Sequence, residues 1–420
     1  MQLTRLWNIY EEHFDEAAFL WTQWERALAS SNHTIDEVAA GPEARLLAHL
    51  DGLVLGGLPV QERLLLPALT GGDASQLWVA GWALLEAESG DQLERLWGAL
   101  VEATAADRRR ALGRALELSS RADIPARLAP QLGRHGPEVD AVIIDVIAAR
   151  DPHRLARLPL SDLGKSSSGE LLAAVLRAAQ RVPAFADRAL IERGLLSDDL
   201  AARGAAVELG ALLSVPSTRA VCRQAIAERA PLLRLAMLVL GLAADAPDYQ
   251  RLIDWSASTD LALDALWALG FTGRVDCAEH LLAQVDDPVR GPVAAESFGS
   301  ITGSCIDGSY AVAGTPAPLA PMAESSPIPE LRADDDLPVP DGGSLRVWWR
   351  GNAQRFDRGV RHVYGRPWSV GSVASALTRA ATWRRQGLRL ALGEAALAVD
   401  LRTWARTQAR ARFPAGILVR

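Results

Sequence analysis

The apolar positions along this chain recur with the period of a helix. Between Leu6 and Leu28, the residues Phe14, Ala17, Ala18, Trp21 and Leu28 fall at spacings of three, four and seven, which puts them on one helical face. Asn32–Gly41 interrupts the pattern. From Pro42 to Gly303 helical segments follow one another, separated by short clusters such as Gly71-Gly72-Asp73, Gly136-Pro137, Asp151-Pro152, Ser197-Asp198-Asp199 and Asp286-Asp287-Pro288. Asp or Ser just ahead of an apolar-periodic run is an N-cap signal, and Pro in the first turn agrees with it. No useful length alternates with period two, so no strand is expected.

Within this helical stretch lies a repeat. Glycines 210, 241, 270 and 299 are spaced 31, 29 and 29 residues apart, and each follows a bulky apolar residue: Leu209, Leu240, Leu269 and Phe298. Five positions before each glycine stands Ala205, Ala236, Ala265 or Ala294; eight before stands Ala202, Leu233, Ala262 or Gly291. These offsets share one helix face. Alanine in the middle of that face admits a close helix–helix contact, and the glycine either ends the helix or relieves crowding. Second helices follow at Thr218–Arg229, Asp248–Ser256 and Val275–Gln284. A helical hairpin of this kind cannot bury its apolar face alone and must stack on the next. The reading is an all-α fold, an α-solenoid of hairpins with a repeat of about 30 residues and a small helical C-terminal unit. Residues 43–193 keep the helix-pair rhythm without the register.

Four segments follow: residues 1–41 as an N-terminal helix or cap, 42–303 as the solenoid, 304–343 as a linker and 344–420 as the C-terminal unit. The linker carries prolines 316, 318, 321, 327, 329, 338 and 340, which argue against helix. In the last segment Arg361–Pro367 reads as a turn, and Ser372–Arg385 and Gly387–Arg412 read as helices. This segment is expected to dock on the last hairpin through Trp348, Trp349 and Phe356.

The repeat resembles HEAT-type repeats of the short bacterial kind, related to those of phycobilin lyases. The residues that carry the likeness are Asp199–Gly210 and Leu261–Gly270. Further segments resemble one proteobacterial HEAT-like family: His13…Glu16–Trp21, Arg45–Leu53, Ala294–Gly303 and Leu337–Asp341…Trp348-Trp349. That family's members lie among genes for type VI secretion spikes and effectors, and it supplies no catalytic residues. The resemblance implies a cytoplasmic partner of an effector or spike component. The alternative it leaves open is an enzyme like the HEAT-fold lyases and isomerases of tetrapyrroles.

Composition narrows the chemistry. Apolar residues make up 49% and charged residues 23%, the balance of a chain that buries a large core. No apolar run is long enough for a membrane span, and the three cysteines Cys222, Cys277 and Cys305 are too few and scattered for a disulfide framework. The net charge is -7, yet residues 344–420 hold fifteen Arg against three acids. A basic segment of this kind can be a nucleic-acid footprint. No recognisable nucleic-acid motif accompanies it, so a basic end balanced by an acidic body is preferred.

Motifs of catalysis are weak. Gly164-Lys165-Ser166 ends a phosphate-loop pattern, but Pro159 stands at its first glycine. None of the seven histidines stands three or four residues from another His, and the one His–Cys spacing of three, Cys277 to His280, is a lone pair, so no metal site is expected. His49 reads as a buried, hydrogen-bonded structural residue, and Cys222 and Cys277 as core. Catalytic residues and cofactors are expected to be none. The favoured function is protein binding. Candidate contacts are the cluster Trp348, Trp349, Arg350, Arg361 and Tyr364, rich in types that dominate interface energy, and second-helix positions Arg219, Arg223 and Arg251 with Asp248, Asp254, Asp276 and Glu279.

Overall fold

The computed structural model describes residues 6–87, 91–182, 185–312, 334–397 and 399–410. It is all-α, a helical-repeat fold. The regular strands among the described residues are one pair, His362–Val363 against Arg366–Pro367. Tyr364 and Gly365 form the turn between them, both with positive φ. That hairpin occupies the place where the sequence predicts a turn and no strand. Two residues a side bury too little to leave a period-two signal.

Two compact units make up the chain. The first contains the described residues up to Leu28, then His33–Thr218, then those from Gly393 on; the second contains Ala29–Asn32 and Arg219–Leu392.

In the first unit, helices begin at residues 74, 106, 137, 169 and 200, a step of 31 or 32 each time. Ala74–Glu86 packs on Ala106–Leu118, that on Pro137–Arg150, that on Gly169–Ala179 and that on Leu200–Leu212. The repeat therefore extends upstream of the alanine register. It is masked there because the small residues sit elsewhere on the helix: Gly81 faces Ala115 of the next helix and Gly113 faces Val142. Side-chain caps start several of these helices, as expected from the Asp and Ser signals. Asp73 forms a capping box with Gln76, Ser168 accepts from the Leu171 amide, and Asp199 accepts from the Ala202 amide.

The helix Trp7–Ala27 is core to this unit rather than an outlying cap. It packs on Ala44–Leu55 and Ala74–Glu86, and Trp21 stacks on Trp78 with centroids 3.6 Å apart. Trp404 enters the same nest 5.2 Å from Trp24 and 6.1 Å from Trp82, donating its indole N–H to the Leu118 carbonyl at 2.9 Å. Residues 344–420 accordingly do not form one C-terminal unit: those up to Leu392 belong with the last repeats, and those from Gly393 belong with the N-terminal half.

In the second unit the helix Leu233–Ala243 packs on Ala262–Leu269, and that on Gly291–Thr302. Their partners Ala246–Trp255 and Val275–Ala283 also touch each other. Ala236, Ala265 and Ala294 are buried here, as Ala205 is in the first unit. A Cβ at Gly241 would collide with the Ala268 carbonyl, and one at Gly270 would meet Ser300 Oγ at 2.6 Å. Of the two roles open to the repeat glycines, relief of crowding therefore holds at both.

The C-terminal helices are Val370–Arg379, Thr382–Ala391 and Ala405–Arg410, shorter than the two runs expected. Ala380 and Ala381 are extended at the break although both favour helix. Packing of Trp383 and Arg384, described below, overrides that propensity. Of the linker, residues 313–333 lie outside the described residues, and with them five of its seven prolines. Its two ends pair with each other: Ala311 bridges Pro340, and the Asp341 amide donates to the Tyr310 carbonyl at 2.8 Å. The next helix opens at Gly342, capped by Asp341.

The seam in the second unit yields a prediction with a definite sign. Gly241→Ala should destabilise the protein by about 1–3 kcal/mol despite alanine's better helix propensity, because the added methyl collides with backbone. Ala265→Leu should cost a similar amount. Chemical denaturation of both variants checks this, and unchanged or raised stability in either would contradict the packing.

Candidate functional site

The aromatic and arginine cluster near residue 350 is built by the helix Gly342–Asn352 and the hairpin that follows. Trp349 and Phe356 are buried, with ring centroids 5.3 Å apart, and Trp349 lies edge-on to Phe298 at 5.6 Å. Trp348 is half-buried, also edge-on to Phe298. Trp348 and Trp349 thus meet the helix Gly291–Thr302 through Phe298, the docking role the sequence suggested for them, while Phe356 packs on the two indoles.

Arg361 stacks on the Trp368 ring at 3.9 Å and donates to the Thr272 and Phe271 carbonyls at 2.7 and 2.9 Å. Burial, and then the like charge of Arg274, push its guanidinium down to about 10. Burial holds the Tyr364 phenol well above its ordinary range, and its amide donates to the Ser300 carbonyl at 2.8 Å. Arg350 is exposed. Of the five residues singled out in this cluster, Arg350 and the outer edge of Trp348 therefore remain on the surface; the others fasten the segment down.

The second-helix positions come together in a different way. Arg223 makes a bidentate pair with Asp248 at 2.7 Å to each oxygen, and Arg251 reaches the same carboxylate at 3.5 Å. Asp248 is fully buried. Arg219 pairs with Asp245 and Arg229 with Asp260. Further along, Arg358 bridges Asp276 and Glu279. The outcome is a row of alternating charges across successive repeats, with the outer arginines half-exposed.

Sequence reasoning missed the most buried arginine among the described residues. Arg384 is 1% exposed. Its Nε donates to both oxygens of Glu296 at 3.0 and 3.1 Å, its Nη1 to the Trp267 carbonyl at 2.6 Å and its Nη2 to Ser297 Oγ at 2.7 Å. Trp267, Phe271 and Trp383 lie around it, and Arg234 also lies over the Trp267 ring, 4.0 Å from its centroid. The partners lie nearly ninety positions apart, so no local motif marks them. Glu43 was missed for the same reason. Its buried carboxylate accepts from Trp24 Nε1 at 2.8 Å and from the amides of Ala405 and Arg406, at the start of the last described helix.

Two histidine contacts also span long separations. His13 and His49 face each other through Nδ1 at 3.1 Å, so His49 does hydrogen-bond, although it is half-buried rather than buried. Ser256 Oγ lies 2.8 Å from His280 Nε2. That pair has the elements of a nucleophile and base, but Ser256 is buried and also donates to the Ile253 carbonyl, which is the geometry of a helix end satisfied by its own hydroxyl. The phosphate-loop remnant is closed off too: Arg193 holds the Gly164 and Ser166 carbonyls, and Lys165 pairs on the surface with Asp162.

Comparison with protein-family models, with curated proteins and with solved structures gave no match to this chain.

Removing one partner of the buried pair leaves the other charge uncompensated. Arg384→Met should therefore cost about 3–5 kcal/mol, read from denaturant midpoints; a loss below about 1 kcal/mol would mean the pair is dispensable. The cysteines give a second test. Burial pushes Cys222 up to about 12 and Cys277 up to about 11, whereas Cys305 is exposed. A thiol reagent at mildly alkaline pH should label Cys305 in the native protein and the other two only after denaturation. Rapid labelling of all three without denaturant would contradict the burial.

Proposed function

We propose that this protein is a non-catalytic, protein-binding scaffold. It acts as an adaptor, chaperone or immunity factor for an effector or spike component of type VI secretion. The observation that carries the reading is the row of charges on the second helices: Arg219 with Asp245, Arg223 and Arg251 with Asp248, and Arg358 with Asp276 and Glu279. Stacked helical hairpins offer such a row on a rigid, extended surface, the geometry that repeat proteins use for protein ligands. The pairs exposed on both sides, Arg219 with Asp245 and Arg358 with Asp276 and Glu279, contribute little to stability. They serve recognition better, since complementary charge speeds encounter and rejects wrong partners. The surface edge of Trp348 beside exposed Arg350 adds an anchor of the type that dominates interface energy. The secretion assignment rests on the resemblance of segments such as Arg45–Leu53 and Ala294–Gly303 to the type VI-associated family.

No helix among the described residues is long and apolar enough to cross a membrane. The scaffold reading requires no cofactor and places the partner in the cytoplasm.

Purification of the tagged protein from its native host tests the reading. A single secretion effector or spike component should co-purify stoichiometrically. Reversing the outer charges with Arg219→Glu and Arg251→Glu should slow its association by about tenfold or more at low salt, with helicity unchanged. A bound tetrapyrrole with no protein partner would instead favour an enzyme. A partner held equally well by the double variant would remove the charge row from the interface.

A further inference from the structure

The pair His13 and His49 brings together two side chains capable of ligating a metal, from helices that pack side by side, Trp7–Ala27 and Ala44–Leu55. Their rings meet at 73° with centroids 5.0 Å apart, and the closest atoms are the two Nδ1 nitrogens, at 3.1 Å. Both residues are half-buried. A glycine on the second helix makes room for the contact: a Cβ at Gly52 would sit 3.0 Å from His13 Nε2. A mid-helix glycine costs about 1 kcal/mol against alanine. At position 52 it houses the imidazole.

We propose that His13 and His49 form a two-imidazole site for a divalent transition metal of the zinc and copper class, held through both Nδ1 atoms. Bonds from imidazole nitrogen to zinc are about 2.0–2.1 Å. At that length, nitrogens 3.1 Å apart subtend an angle of about 95–100° at the metal, within reach of square-planar and tetrahedral geometry without backbone movement. In the metal-free pair one Nδ1 carries a proton and donates to the other. On binding, that ring would carry its proton on Nε2 instead, which frees its Nδ1 to ligate. Among the described residues no third His, Cys, Asp or Glu completes a cluster, so the remaining positions on the ion belong to water. Hard ions such as magnesium prefer oxygen ligands and are excluded by the same chemistry.

Calorimetric titration of the full chain with zinc chloride near neutral pH tests the site, with magnesium chloride as control. One equivalent of zinc should bind and magnesium should not. His13→Gln and His49→Gln should each weaken zinc by at least about tenfold, since loss even of a group that only supports a ligand costs about 10–100-fold, while His153→Gln leaves binding intact. Absence of saturable zinc binding, or binding unchanged in both glutamine variants, overturns the proposal. Should either variant lose helicity, electron paramagnetic resonance of the wild-type protein with one equivalent of copper(II) decides: two coupled nitrogens support the site, and fewer overturn it.

Discussion

Much of the second unit depends on how closely two helix backbones can approach. At Gly241 the helix Leu233–Ala243 lies so near the Ala268 carbonyl that a methyl group has no room. The buried alanines 236, 265 and 294 carry the same spacing along the row. One place further, the space left by Gly270 holds more than Ser300: the Arg384 guanidinium occupies it, 2.8 Å from where a Cβ would stand. The thin seam thus opens the route by which a residue over a hundred positions away reaches the Trp267 carbonyl and the Glu296 carboxylate. Widening the seam would displace the arginine and with it the helix Thr382–Ala391.

This dependence separates what could be read in the chain from what could not. The alanine and glycine register shows through because each unit meets its neighbour at the same offsets, so a spatial regularity becomes a sequence regularity. Upstream the helices keep a step of 31 or 32 residues, but glycines 81 and 113 take over the close contacts from different positions and the register disappears. Arg384, Glu43 and the identity of His49's partner, His13, leave no trace. Their partners are dozens to hundreds of residues away, and nothing short-range selects an Arg for burial among many exposed ones. Of the candidate contact residues, the residue types in the cluster near Trp348 were visible, but which of them pack inward was not. Trp349 packs between Phe298 and Phe356, whereas Arg350 one position on faces water.

The uneven charge has a structural use. Several of the arginines after residue 344 find carboxylates in the acidic body: Arg346 meets Asp286, Arg358 meets Asp276 and Glu279, Arg384 meets Glu296, and Arg402 meets Glu117. Others serve backbone carbonyls, as Arg361 does at Phe271 and Thr272. Guanidinium suits these tasks because its planar fork can satisfy a carboxylate or two carbonyls at once. At these positions the surplus serves as internal fastening, in line with the reading of a basic end balanced by an acidic body.

The return of the chain to its first unit bears on the order of events at the ribosome. Glu43, Trp24 and Trp78 are translated early, yet the groups that satisfy and cover them, the amides of Ala405 and Arg406 and the indole of Trp404, are translated hundreds of residues later. Until then the nascent first half carries a carboxylate and aromatic rings that lack their final partners, while the repeats from Arg219 to Thr302 can already stack on one another. Vectorial synthesis therefore does not make this protein mature from its N-terminus forward. The half made first is sealed last, and through that interval it depends on slow aggregation or on a chaperone's cover.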